Sequence, residues 1–569
     1  MTEPDRDWWR SAVVFQVWPR SFCDSDGDGI GDINGITARL EHLERLGVDV
    51  LWLSPIYRSP HRDFGYDISD YQALDPLFGT LDDFDRLVGA LHDRGMKLVM
   101  DLVVNHTSDQ HSWFLESRSS VTNPKRDWYW WRPARPGVEP GTPGAEPTNW
   151  RGFFSQPTWT LDPTTGEYYL HLFTPEQPDL NWDYPEVRAA IYEMMRWWLD
   201  RGVDGFRMDV INLISKAPEL ADGPPIAGTV LGDGWDGYAN GPRLHDYLQE
   251  MHREVFADRP GTWMTVGEMP GVTVDLAREV TDPARRELDM VFHFEHMSVD
   301  RGVDRFDVRP FDLRSLKDVF GRWQAGLADA GWNSLYWSNH DQPRAVSRFG
   351  DDGRYWRESA TALAVALHLL RGTPYVYQGE ELGMTNHHIT SLDDVRDVES
   401  LNYYAASVAA GRAPSEVLAA IDEAGRDNAR TPMQWDASEH AGFTCGTPWM
   451  PVNPNHVWLN ATNQYEDPSS VFSIYRALIE LRHRCPTVVH GTCEMLLPDH
   501  PHIYAYTRRL ETQELLVVAN FSATEQALPF DTSWALRPIV LGNYCGVSES
   551  NSGERLATLR PWEARVYER

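Results

Sequence analysis

Four short stretches carry the residues best suited to chemistry, and each follows an apolar run. They read Asp101-Leu-Val-Val-Asn105-His106, Gly205-Phe-Arg207-Met-Asp209, Val266-Gly-Glu268 and Asn339-His340-Asp341. One carboxylate after an apolar run is usually a helix cap or an ion-pair partner. Four run ends that together offer Asp209, Glu268 and Asp341, an arginine and two histidines are harder to explain as caps, because burying several carboxylates in one cleft is costly unless the site uses them. Three carboxylates beside an arginine suit the cleavage of a glycosidic bond. One attacks the anomeric carbon, a second gives its proton to the departing oxygen, and a third steadies the oxocarbenium-like transition state. The arginine keeps the nucleophile ionised, while desolvation and like charge keep the acid protonated.

The elements that must position these groups follow a strand–helix alternation. Strand-like runs fall at 13–17, 50–53, 97–104, 205–209, 265–268, 290–294, 334–339 and 374–378. Between the early runs, Ile36, Leu40, Leu43 and Leu46, then Phe84, Leu87, Val88 and Leu91, recur at helical spacing. Eight such strands with crossover helices close most simply as an α/β barrel of the (β/α)8 type, with chemistry at the C-terminal strand ends. The alternation predicts a first barrel part over 1–104, an inserted loop-rich subdomain over 105–173, and a second barrel part over 174–484 carrying a subdomain near 386–455. From 485 to 569 the β-rich texture predicts an antiparallel C-terminal β-sandwich.

The four stretches resemble the signature regions of the α-amylase family of glycoside hydrolases, in family order and across nearly the whole chain. The resemblance implies Asp209 as nucleophile, Glu268 as general acid/base and Asp341 as transition-state stabiliser. It implies His106, Arg207 and His340 as holders of the glucosyl unit. It also matches Tyr66 to a stacking residue and Asp67 to the carboxylate at the sugar's non-reducing end. The stretches Arg426-Asp-Asn-Ala-Arg-Thr-Pro-Met-Gln-Trp435 and Gln378-Gly-Glu-Glu-Leu-Gly-Met384 are similar to the oligo-1,6-glucosidase and α-glucosidase branch. There Arg426, in preference to Arg430, would pair with Asp67 and close the cleft to a pocket for one glucose. Val210, after the nucleophile, goes with α-1,6 linkages in that branch. Where the branch usually shows Tyr, the stretch Val14-Phe-Gln-Val-Trp18 has Phe and Trp.

The loop Asp24-Ser-Asp-Gly-Asp-Gly-Ile-Gly-Asp32 sets acidic residues at alternate positions, with Gly29 allowing a sharp turn. Asp24, Asp26, Asp28, Asp32 and the Ile30 carbonyl could surround a hard cation. The bidentate glutamate of an EF-hand is missing, because its position holds Gly35. Similar loops in the branch hold one structural Ca2+, sometimes Mg2+, and no organic cofactor is expected.

Bulk properties narrow the partners. A formal charge of −32 over 569 residues argues against nucleic acid. No apolar stretch is long enough for a bilayer, and the polar N-terminus has no signal-peptide core. The five cysteines, Cys23, Cys445, Cys485, Cys493 and Cys545, lack metal-type spacing and read as free thiols of a reducing cytoplasm. The expectation is a cytoplasmic monomer or weak homo-oligomer acting on short oligosaccharides. The favoured activity is an exo-acting, retaining α-1,6-glucosidase with some transglucosylation. The alternatives are a trehalose-6-phosphate hydrolase, an α-1,4-glucosidase or sucrose hydrolase and, remotely, an inactive transporter-associated relative.

Overall fold

The computed structural model describes residues 7–528, 530, 532–535, 537–544 and 557–569. Eight parallel strands form the central sheet: β1 (Val14–Val17), β2 (Val50–Leu53), β3 (Lys97–Val103), β4 (Gly205–Asp209), β5 (Met264–Glu268), β6 (Met290–Phe292), β7 (Ser334–Leu335) and β8 (Thr373–Tyr377). Their order is β6-β5-β4-β3-β2-β1-β8-β7, and a parallel bridge from Val291 to Asn333 joins the two ends. The eight predicted runs are all present. The seventh pairs over two residues only, because its chain turns away after Leu335 toward His340.

The strands are nearly continuous apolar runs because helices cover the outside of the ring while side chains fill its interior. In β2 every residue is at most 2% exposed. Helix 81–92 shows how the outer layer is set. Thr80 and Asp83 form a capping box, and Phe84, Leu87, Val88 and Leu91 make its buried stripe. Among the polar residues inside the strands are Gln16, Asp101 and Arg207, all buried. Each lies toward the catalytic end of its strand, and each contacts the site described below.

The insertion after β3 carries a three-stranded antiparallel sheet. Its core of Trp130, Trp150, Trp159, Tyr168 and Leu170 also takes in Val210 and Leu213, so this subdomain is packed onto the loop that follows β4. A second excursion holds α1 (Val398–Ala409) and α2 (Pro414–Ala424), with Val395, Val417 and Ile421 in a small core against Phe306.

The C-terminal part begins after a short helix over Pro486–His490, a few residues later than the expected boundary. It is a five-stranded antiparallel sheet: β9 (Thr492–Leu496), β10 (Ile503–Leu510), β11 (Gln513–Asn520), β12 (Ile539–Gly542) and β13 (Ala564–Glu568), in the order β9-β10-β11-β13-β12. A two-stranded ribbon, 526–527 with 558–559, accompanies it. Alternation decides what each face meets. Tyr504, Tyr506, Leu515 and Val517 join the main core, whereas Ile503, Ala505, Leu516 and Val518 form a separate outer core. Among the described residues Cys23, Cys445, Cys485 and Cys493 are free thiols; Cys545 lies outside them.

Candidate functional site

The strand ends meet in one pocket of about 210 Å³, lined among others by Tyr66, His106, Asp209, Val210, Glu268, Asp341 and Arg426. Arg207 organises its floor. One guanidinium nitrogen lies 2.7 Å from Asp209 and 2.5 Å from Asp101, and the other lies 2.6 Å from Glu268. A single cation thus faces three carboxylates. Burial pushes the Asp209 carboxyl well above the ordinary range, with Glu268 and Asp101 adding to the shift and Arg207 opposing it. Asp101 is pushed up to about 6, also by burial first. The cluster therefore keeps a proton where isolated carboxylates would have lost theirs.

Asp341 has the opposite surroundings. Its Oδ1 is 2.8 Å from Arg430 and 3.2 Å from Arg426. Burial alone would raise its pKa, but His340 and the arginines 426, 430 and 305 hold it well below the usual range. His340 is sandwiched between Trp18 and Tyr66, with centroids at 5.2 and 5.3 Å and nearly parallel planes. Trp18, one of the two departures noted in the stretch from Val14 and the residue after β1, therefore packs directly behind the site. A hydrogen-bond chain runs from the Gln16 amide to His340 Nδ1 (2.8 Å), from His340 Nε2 to the Tyr66 hydroxyl (2.8 Å), and from that hydroxyl to Asp101 (3.3 Å). Arg207 and His340 sit behind the pocket lining rather than in it.

Val210 has a left-handed backbone, φ 38° and ψ 41°, which is strained for a branched residue. That turn aims its N–H at Glu268 Oε2, 3.1 Å away. The valine side chain divides its contacts between the pocket and the inserted subdomain.

The expected pairing of Arg426 with Asp67 is not formed. Asp67 is fully buried in the turn beneath Tyr66, where it accepts hydrogen bonds from Ser59 Oγ and from the backbone N–H groups of Arg62 and Asp63. It is not part of the lining. The carboxylate that faces Arg426, at 3.8 Å, belongs to Asp63, whose pKa burial raises to about 6 against Arg426 and Arg430. Arg426 lies closer still to Asp397, at 2.6 Å, and has Glu399 at 3.7 Å. Sequence reasoning missed Asp63, Asp397, Glu399, Arg305, Gln177 and the aromatic wall Phe153, Phe154 and Phe173. Only Asp63 had a usable signal, as the second aspartate flanking Tyr66.

In the glycine-rich loop the structure brings Asp24, Asp26 and Asp28 together, with one oxygen from each inside 4.8 Å of the others. Asp32 stands outside that trio. Its oxygens accept from Ser25 N, Ser25 Oγ and Gly35 N, so it caps the helix starting at Ile33. The Ile30 N–H donates to Asp28. No helix among the described residues is long and apolar enough to cross a membrane.

Comparison with known proteins agrees with this geometry. The model of the alpha amylase catalytic domain matches residues 16–491, and that of the maltogenic amylase C-terminal domain matches 493–566. An oligo-1,6-glucosidase of Parageobacillus thermoglucosidasius is 55% identical over 99% of both chains. A trehalose-6-phosphate hydrolase of Bacillus subtilis is 47% identical over 98% of both. Among solved structures, a trehalose-6-phosphate hydrolase of Bacillus licheniformis superposes with a TM-score of 0.92 at 43% identity, covering 99% of each chain.

Proposed function

The chain belongs to the α-amylase family of glycoside hydrolases, and from that premise we propose a retaining, exo-acting α-glucosidase that prefers α-1,6-linked glucosides such as isomaltose and panose. The observation that carries the mechanism is the shared guanidinium. Asp209 and Glu268 each lie within 2.7 Å of Arg207, on different nitrogens of one planar group. That favours the separation of about 5–5.5 Å used by retaining enzymes over the roughly 6.5–9.5 Å that an inverting enzyme needs for a water.

In this reading the sugar lies over Asp209 and Glu268, with Arg207 behind both. Asp209 Oδ attacks the anomeric carbon as the C–O bond to the aglycone breaks. For that attack Asp209 must pass its proton to Glu268, which delivers it to the leaving oxygen and then takes one from the water that releases glucose. A sugar hydroxyl in place of that water gives transglucosylation. Asp341, kept ionised by its arginines, steadies the positive charge on the ring. Asp63 and Arg426 close the far end of the pocket, which limits it to one glucosyl unit.

The rest of the lining includes Val210, Pro270, Phe294, Arg305, Gln342 and Glu399. Both lining arginines are already engaged. Arg305 donates to the Asp341 carbonyl at 2.9 Å and faces Glu399 at 3.5 Å, while Arg426 is held by carboxylates. A phosphate dianion would meet Asp63, Asp209, Glu268, Asp341 and Glu399 with no free cation among the described lining residues, which disfavours a phosphorylated aglycone. Val210 supports the α-1,6 preference through the branch resemblance, since a branched wall shapes how the aglycone enters.

Asp24, Asp26 and Asp28 fit a hard cation, because three carboxylate oxygens converge on the loop surface. We assign them to one Ca2+, with Mg2+ as the lesser fit. Bound there, the ion would brace the loop, whose residues are not among those that line the pocket. The four free thiols agree with a reducing, cytoplasmic setting.

Glucose release from isomaltose, panose, maltose, sucrose and trehalose 6-phosphate tests the proposal. Turnover is expected on isomaltose and panose first and on trehalose 6-phosphate last. Preferred turnover of trehalose 6-phosphate would reverse the assignment.

A further inference from the structure

Lys216 has a fully buried ammonium surrounded by three acceptors. Its Nζ lies 2.9 Å from Asp179 Oδ2, 2.9 Å from the Leu213 carbonyl and 3.2 Å from Asn105 Oδ1. Those partners come from the return of the inserted subdomain, the loop after β4 and the end of β3. The residue following Asn105 is His106, which lines the sugar pocket.

The chemistry of the partners settles how the Asn105 amide is turned. An ammonium only donates and a carboxylate only accepts. Asn105 must therefore show its oxygen to Lys216 and its NH2 to Asp179 Oδ2, which is 3.2 Å away. The same NH2 lies 3.2 Å from His106 Nδ1. A donor there requires a lone pair on Nδ1, which leaves the ring proton on Nε2. That nitrogen faces the Tyr66 carbonyl, an obligate acceptor, at 3.1 Å. Burial lowers the His106 pKa to about 4, so the ring carries only one proton.

One contact speaks for the other tautomer. The Gln177 amide nitrogen is 3.2 Å from His106 Nε2. Its oxygen accepts from Thr174, and its NH2 already donates to Asp63 at 3.1 Å. Moving the proton to Nδ1 would satisfy Gln177 but would set an N–H against the Asn105 NH2 and a lone pair against the Tyr66 carbonyl. The Nε2–H form satisfies two neighbours and the Nδ1–H form one. Asp63 and Gln177 both line the pocket, so the Nε2 edge is the one turned toward the sugar.

We propose that Lys216 is a positioning residue. Through Asp179 and Asn105 it fixes His106 as the Nε2–H tautomer, so that the edge lining the pocket presents an N–H, held by the Tyr66 carbonyl and shared with a sugar oxygen, rather than a lone pair. The inference deepens the glucosidase reading and rests on it for the sugar, but the tautomer itself does not depend on the substrate.

The test uses full-length enzyme with 15N-labelled histidine and long-range 1H–15N correlation, with His106→Gln to assign the signal. Wild type is expected to show a protonated Nε2, and a protonated Nδ1 would overturn the proposal. Asn105→Asp places an acceptor against Nδ1 and is expected to move the proton there. Lys216→Met alone risks misfolding through the orphaned Asp179, so the paired variant Lys216→Met/Asp179→Asn removes both charges together. It is expected to fold, to show mixed tautomers, and to raise KM for isomaltose about tenfold with kcat within about twofold, the loss of one hydrogen bond. A folded double variant with the wild-type tautomer and KM would reduce Lys216 to a structural pin and overturn the assignment.

Discussion

Replacing Asp397 is expected to loosen the arginine that closes the pocket, and the structure sets the size of the effect. Asp397 caps α1. Its Oδ2 accepts from Ser400 N and Oγ at 2.9 and 2.7 Å, while its Oδ1 accepts from Arg426 Nε at 2.8 Å. The carboxylate is fully buried, and its pKa is lowered to about 2; burial opposes that shift, and Arg426, Arg430 and the Ser400 bonds outweigh it. Because the folded pKa lies below the unfolded value near 3.9, the linked stability is fully present above about pH 4. It fades as pH falls through about 2. The gap corresponds to roughly 2–3 kcal/mol at neutral pH. A comparison with buried pairs in general, about 3–5 kcal/mol for removing one partner, gives the same order once Arg426's remaining carboxylates are allowed for. Asp397→Asn cannot keep both functions, since one face of the amide must set an NH2 against a donor. Hydrogen exchange at pH 7 is the assay. Amides of α1 and α2 are expected to lose protection by roughly 30- to 100-fold, with the barrel strands unchanged. Asp397→Ala, which also loses the cap, should add about 1 kcal/mol more. Protection within twofold of wild type in the Asn variant would refute the claim that this carboxylate anchors Arg426.

The other expectations are narrower. Glu268→Gln should lower kcat on isomaltose by about 10²- to 10⁴-fold while sparing the first step on aryl glucosides, whose leaving groups need little protonation; equal losses on both would remove it as the acid. Asp63→Asn should raise KM roughly tenfold or more. Asp67→Asn should instead cost about 1–3 kcal/mol of stability with KM nearly unchanged, and the reverse pattern would restore Asp67 as the residue that meets the sugar. Dialysis against chelator should lower Tm, and Ca2+ at 100 times its Kd should return about 2.7 kcal/mol, an effect that Asp26→Asn/Asp28→Asn should lose.

The barrel was legible because its eight strands are buried on both faces, so each appears as an apolar run, and several of these runs lead into a polar residue at the working rim. The pairing at the far end of the pocket was not. Asp63 and Asp67 flank the same tyrosine and are equivalent to any spacing argument. What separates them is a turn in which Phe64 and Gly65 both take positive φ, 49° and 111°. That reversal points Asp63 outward at Arg426 and folds Asp67 back onto the N–H groups of the turn. A sequence shows the glycine but gives no sign that phenylalanine will share its conformation. In the glycine-rich loop, Asp32 shares the alternation of Asp24, Asp26 and Asp28, yet its oxygens cap the helix that starts at Ile33.

Lys216 marks a different limit. A lysine a few residues past a strand end reads as solvated, and its burial is decided by Asp179, which arrives only when the inserted subdomain folds back across the β3 end. Asp209 and Glu268 end strands, Asp341 follows one by six residues, and all three are announced by local pattern. The residues that orient the pocket, Asp179 on the return of the insertion, Lys216 in the loop after β4 and Asp397 at the start of α1, gain their roles only after distant segments have met. Variation in the two excursions should therefore retune the pocket without altering Asp209, Glu268 or Asp341, because Arg426 and His106 are both held from outside the ring of strands.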